Sequence, residues 1–136
     1  MKKIELFFKN VLLRTLLFFN HAPKLDTKLN LTPSSKILFI RLNRIGDALV
    51  TTPLLSAVKN KTGSTIHILA DKKNQFVFQN NPDLDKVIVF EKGFNGIKKF
   101  KKILNAENYD AIVDLHDDVS TTVSFLIALS GIQHRL

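Results

Sequence analysis

Residues 37–53 read ILFIRLNRIGDALVTTP. Five of the first six are apolar, as in a strand buried on both faces. Arg41, Asn43, Arg44, Gly46 and Asp47 then fall within seven positions. An apolar strand that ends in two guanidiniums, a glycine and a carboxylate delivers polar chemistry to the edge of a core.

The pattern beyond this stretch alternates. KILFIRL (36–42) is the first strand, and ALVTTPLLSAVKN (48–60) has helical spacing at Leu49, Leu54, Leu55 and Val58. Pro53 suits a first helical turn with Thr52 as N-cap, or else a kink in a helix that starts earlier. TIHILA (65–70), KVIVF (86–90) and DAIVDLH (110–116) are further strands. DKKNQFVFQNNP (71–82) reads as a short helix or loop. GIKKFKKILNAENY (96–109) sets Ile97, Phe100, Ile103 and Leu104 against four lysines, an amphipathic helix. VSTTVSFLIALSG (119–131) is a helix that stops at Gly131, and IQHRL begins another element. Strands that are apolar throughout and alternate with helices predict a doubly wound, Rossmann-like α/β fold, its parallel sheet covered on both faces.

With 136 residues, 45% of them apolar, the chain has material for one core and too little for two ordinary domains. It has no cysteine, which excludes disulfides and thiolate metal sites and fits a reducing compartment. Net charge is +8, half of it carried by residues 1–33. That favours phosphate-bearing or otherwise anionic partners without choosing among them. Residues 3–19, KIELFFKNVLLRTLLFF, are interrupted by Lys9 and Arg14 and never run more than four apolar residues together. A membrane span needs about 20. The segment reads as an interfacial helix for peripheral membrane contact, or as a helix packed on its own domain or a partner. Residues 20–35, with Pro23 and Pro33, read as a linker. The expected division is therefore residues 1–35, a basic apolar helix and linker, and residues 36–136, the α/β domain.

In such sheets ligands bind beyond the carboxyl ends of the strands. RLNRIGD occupies that place. Gly46 is expected to let the chain turn tightly and a ligand approach closely. Asp47 is either a helix N-cap or a base that accepts a proton from a hydroxyl. Arg41 and Arg44 either orient Asp47 and bind an anionic substrate or are solvated charges. The glycine fingerprint of dinucleotide sites is absent. DLHDD (114–118) raises a metal-dependent hydrolase reading, weighed against a strand end with solvated carboxylates; the latter is preferred, with no metal expected. His67 reads as a structural strand residue. The lysines of 98–102 raise a non-enzymatic basic membrane- or anion-binding module, but exposed aromatics do not interleave them as nucleic-acid binding would require.

KILFIRLNRIGDALVTTPLLSAVK resembles the opening of the glycosyltransferase family 9 heptosyltransferases: an apolar strand, an R-x-x-x-I/M-G-D loop, then a helix with T-T-P. NPDLDKVIVF and YDAIVDLHDDVSTTVSFLIALSGIQHRL resemble that family's later segments, so the likeness runs in order over residues 36–136. It departs from the family at Leu42-Asn43-Arg44. The resemblance implies the N-terminal, acceptor-side half of a two-domain GT-B enzyme. Such an enzyme moves a heptose from a nucleotide-sugar, typically ADP-heptose, to a lipopolysaccharide core acceptor with inversion and without metal or cofactor. It implies Asp47 as general base. Arg41, Asn43, Arg44, Gly46, His116 and Asp117 become candidates for substrate binding. It implies a cytoplasmic protein, at the inner face of the membrane if residues 3–19 dock there. A donor-binding C-terminal domain is expected to be missing from the chain, which is then expected to be inactive alone.

Overall fold

The computed structural model describes residues 29–118 and 120–136, together with Val11 and Arg14. The helix expected over residues 3–19 lies outside the described residues apart from Val11 and Arg14, which are helical. Most of the expected linker lies outside them too. Among the described residues no helix is long and apolar enough to cross a membrane.

Five strands form one parallel sheet: β1 (Lys36–Arg41), β2 (Thr65–Asp71), β3 (Lys86–Phe90), β4 (Ala111–Asp114) and β5 (His134–Arg135). Their order across the sheet is β3-β2-β1-β4-β5. Three helices connect them: α1 (Ile45–Thr62), α2 (Phe94–Glu107) and α3 (Thr121–Ser130). The fold is a doubly wound α/β architecture, and the IQHRL segment supplies its fifth strand. The strand order reverses between β1 and β4, the crevice where such sheets bind ligands.

The alternation of side chains along β1 divides the core in two. Leu38, Ile40 and Leu42 face Phe100 and Leu104 of α2 and Val123 and Leu126 of α3. Ile37 and Phe39 face Ala48 and Leu55 of α1, with Phe78 beside them. Helices therefore cover both faces, and each fully buried Leu or Ile side chain contributes roughly 1.5–3 kcal/mol of transfer free energy. α2 sits as its pattern predicts, Phe100 and Leu104 inward and its lysines outward.

α1 takes the second of the two expected forms, a helix that starts before Pro53. It begins at Ile45, eight residues before Pro53, which lies inside it. A proline removes one helical N–H and frees the carbonyl four residues back. Here that carbonyl, Leu49 O, accepts from the Thr52 hydroxyl at 2.8 Å, and Ala48 O accepts from Thr51 at 2.7 Å. The threonines of T-T-P thus serve the helix interior, and Thr52 is not its N-cap. The inward stripe is Ala48, Leu55 and Val58, while Leu49 and Leu54 are exposed. Between β2 and β3 the regular structure is a single 3-10 turn, Gln75–Val77.

Candidate active site

β1 ends at Arg41, and α1 starts four residues later. Asn43 (φ 71°) and Arg44 (φ 48°) make the turn, both in the left-handed region. Such a conformation costs a residue with a side chain roughly 1–2 kcal/mol. Gly46 is not among the positive-φ glycines, so it does not make the turn; this corrects the sequence-based expectation. A Cβ at Gly46 would meet nothing within 4 Å, so close approach remains open there.

The turn is held from both neighbouring strands. On the β2 side, the fully buried Asn74 donates through Nδ2 to Arg41 O and to Asn43 O, each at 3.0 Å. Its Oδ1 accepts from Asp71 N–H at 3.0 Å, and Asp71 Oδ1 accepts from Asn74 N–H at 3.0 Å and Lys73 N–H at 2.7 Å. On the β4 side, His116 Nδ1 lies 2.6 Å from Asp114 Oδ1. His116 Nε2 faces both backbone groups of Leu42, the carbonyl at 2.6 Å and the N–H at 3.1 Å. Either tautomer therefore bonds to Leu42, as donor or as acceptor.

Arg41 is buried at 3% exposure. Its Nη2 lies 2.6 Å from Asp47 Oδ2, and its Nη1 donates to Leu115 O. Its Nε is buried and has no hydrogen-bond partner among the described residues. Asp47 is 30% exposed and is the third residue of α1, in the first turn, where the helix dipole favours a carboxylate. Arg44 occupies the N-cap position, so Asp47 is not the cap. Arg44 approaches Asp47 Oδ2 at 3.8 Å and Asp118 at 3.6 Å, but at 69% exposure these contacts are weak. Both arginines meet Asp47 through Oδ2, and its Oδ1 makes no hydrogen bond among the described residues.

Arg41, Asn43, Arg44, Gly46 and Asp47 are thus gathered at one mouth, the switch point of the sheet. His116 lies directly behind it, with both ring nitrogens engaged by Asp114 and Leu42. Asp117 is exposed on the same loop and makes no polar contact among the described residues. Among the described residues no three His, Asp or Glu side chains are grouped to hold a metal. Asp114 is engaged by His116 and Asp118 faces Arg44. Asn74 went unread in the sequence. Its signal is an Asp-x-x-Asn spacing directly after an apolar strand, the pattern of an Asx-bonded turn. His67 is a strand residue as expected, 5% exposed, its Nδ1 2.8 Å from the Tyr109 hydroxyl.

No protein-family model matches this chain, and no curated protein matches it. Solved structures do. The crystal structure of the glycosyl transferase family 9 from Veillonella parvula DSM 2008 is similar at 27% identity and a TM-score of 0.59, over 74% of this chain and 31% of its own. The structure of E. coli ADP-heptose lps heptosyltransferase II is similar at 23% identity and a TM-score of 0.58, over 74% of this chain and 29% of its own. The chain spans about a third of the length of either structure.

Proposed function

We propose that this chain is the acceptor-side domain of a family 9 glycosyltransferase, with Asp47 as its general base. The carrying observation is the Asp47 carboxylate, part-exposed at the switch point and gripped at 2.6 Å by a buried arginine. Arg41 fixes Oδ2 and leaves Oδ1 to receive the proton of an acceptor hydroxyl. As that proton passes to Asp47, the hydroxyl oxygen forms a bond to the anomeric carbon of a nucleotide-sugar. The bond from that carbon to the diphosphate breaks on the opposite face, so the configuration inverts. Positioning of the base supplies the acceleration, and no metal or cofactor is invoked.

Arg44, exposed beside Asp47, is placed to meet an anionic group on the acceptor. Asn43 and Gly46 border the same opening. His116 supports the mouth through Leu42, and Asp117 is the exposed group available for sugar hydroxyls. Family resemblance and the substrate for which the E. coli enzyme is named favour ADP-heptose as donor and a lipopolysaccharide core sugar as acceptor. The nucleotide-sugar would be held by a second domain, consistent with the share of the solved structures that this chain spans. Work at the cytoplasmic face of the inner membrane follows from such an acceptor, with residues 3–19 as the peripheral contact.

The test is heptose transfer by this chain together with its donor-side domain. Asp47→Asn is the informative variant, because it keeps a polar partner for Arg41 while removing the base. We expect transfer to be lost with an unchanged circular dichroism spectrum. Near-normal turnover would remove Asp47 from the chemistry.

A further inference from the structure

We propose that Asn74 is a positioning residue for this site: its amide holds the Asn43–Arg44 turn and so sets Asp47 against Arg41. The inference rests on the glycosyltransferase reading for its catalytic consequence, but not for its geometry.

Arg41 is the last residue of β1 in register with β2, opposite Ala70. Arg41 closes the ladder to β2, and the Asn43 carbonyl lies two residues past it. Asn74 bonds both carbonyls, of Arg41 and of Asn43, from one NH2 group, reaching 33 and 31 residues back along the chain. Only a side-chain amide offers two donors there and, on its other atom, an acceptor for Asp71 N–H. Asp71 in turn accepts from Asn74 N–H, so the holder is itself held. The two left-handed residues are the strained part of the connection, and strain of this kind persists only where the surroundings over-determine it. A relaxed turn would change where α1 begins. Asp47 is the third residue of α1 and its partner Arg41 is the last residue of β1, so the turn between them sets their separation. Among the described residues Asn74 makes no hydrogen bond to the Asp47 carboxylate or to the Arg41 guanidinium. It acts through the backbone, as His116 does from the other side at Leu42.

Asn74→Asp keeps the shape but turns a carboxylate oxygen toward two carbonyl oxygens. Hydrogen exchange reads the result directly in the 136-residue chain. Leu42 N–H and Ala48 N–H report on the turn; Ile66 N–H, bonded to Asp85 at 2.8 Å, reports on the remote end of the sheet. We expect exchange at Leu42 and Ala48 to rise at least about tenfold with Ile66 unchanged. In the transfer assay kcat should fall about tenfold or more while KM for the nucleotide-sugar stays put, since a misplaced base weakens the chemical step. Asp71→Asn, which weakens only the outer tier, should give the same pattern at smaller size and serves if Asn74→Asp does not fold. Equal exchange changes at Leu42, Ala48 and Ile66 would overturn the proposal. So would an unchanged kcat in an enzyme that Asp47→Asn inactivates. Full transfer by Asp47→Asn would instead sink the base assignment and Asn74's catalytic consequence with it, and the exchange pattern would still report whether the turn is held.

Discussion

Arg41 Nη2 and Asp47 Oδ2 lie 2.6 Å apart, yet the arginine is 3% exposed and the aspartate 30%. The pair is lopsided: water reaches the carboxylate and barely reaches the guanidinium. Removing the carboxylate leaves a buried cation whose remaining partner among the described residues is Leu115 O, whereas removing the guanidinium leaves a carboxylate that water can solvate. Asp47→Ala should therefore destabilise the chain by about 2 kcal/mol, less than a fully buried pair would lose. The double variant Arg41→Met/Asp47→Ala should be less destabilised than the sum of the singles by about 1 kcal/mol or more. Urea unfolding of the four proteins measures this, and strictly additive costs would show that the two charges do not depend on each other.

Burial at the opposite end of the sheet predicts an acid sensitivity. His67 is held below its usual pKa chiefly by burial, with the nearby Glu107 pulling the other way. In the unfolded chain the imidazole takes up a proton near 6.5. Below that pH the unfolded state binds more protons than the folded one, so stability falls as pH falls, and the loss levels off below the folded value. The urea midpoint should drop between pH 7.5 and pH 5.5, and His67→Phe should flatten that drop. An undiminished drop in the variant would assign the effect to other groups.

A second acid window lies lower. Glu107 is drawn down to about 2, first by its hydrogen bond to Lys36 and then by that to Lys86. Its contribution is present above its unfolded value of 4.5 and lost as pH falls from there toward 2. The two lysines are 30% and 48% exposed, so water and salt screen both pairs and each contributes under about 1 kcal/mol. Glu107→Gln should remove pH dependence from this window and, by taking away the charge that raises the His67 pKa, deepen the His67 window slightly, and 0.5 M salt should mimic much of the substitution near neutral pH. A variant that also lost the His67 window would mean that the two sites titrate as one.

What was legible in the sequence followed from hydrophobic pattern. Strands that are apolar on both faces, as in ILFI and TIHILA, need a sheet covered twice, and α2's lysine face left one orientation open. That Arg41, Asn43, Arg44 and Asp47 lie together at the sheet's carboxyl edge was legible for the same reason, since polar residues after the first strand must fall there. The start of α1 was legible only as one of two alternatives, because Pro53 also reads as a beginning unless the threonines before it are seen to satisfy the carbonyls of that turn. The turn at Asn43 and Arg44 and its hold by Asn74 were not legible. A left-handed residue that is not glycine leaves no mark in composition, and its support arrives from 31 residues away. The glycine nearest the site attracted the turn that its neighbours make.

Two glycines separate fold from site. Gly96 is buried in the first turn of α2, where a Cβ would sit 1.5 Å from Glu91 O. That neighbour is backbone, so only displacement of the β3–α2 connection can relieve the clash. Gly96→Ala should destabilise by about 3 kcal/mol, the upper end of overpacking costs. Gly46 lies in the first turn of α1 with nothing within 4 Å of its would-be Cβ. Alanine there suits the helix, and Gly46→Ala should leave stability unchanged or raise it by about 0.5 kcal/mol. The added methyl instead occupies the space beside Asp47 where an acceptor would approach. Thermal melts of both variants and acceptor titration of Gly46→Ala test the pair together. A stable Gly46→Ala protein with weakened acceptor affinity is the expected result, and unchanged affinity would move the acceptor away from the α1 N-terminus.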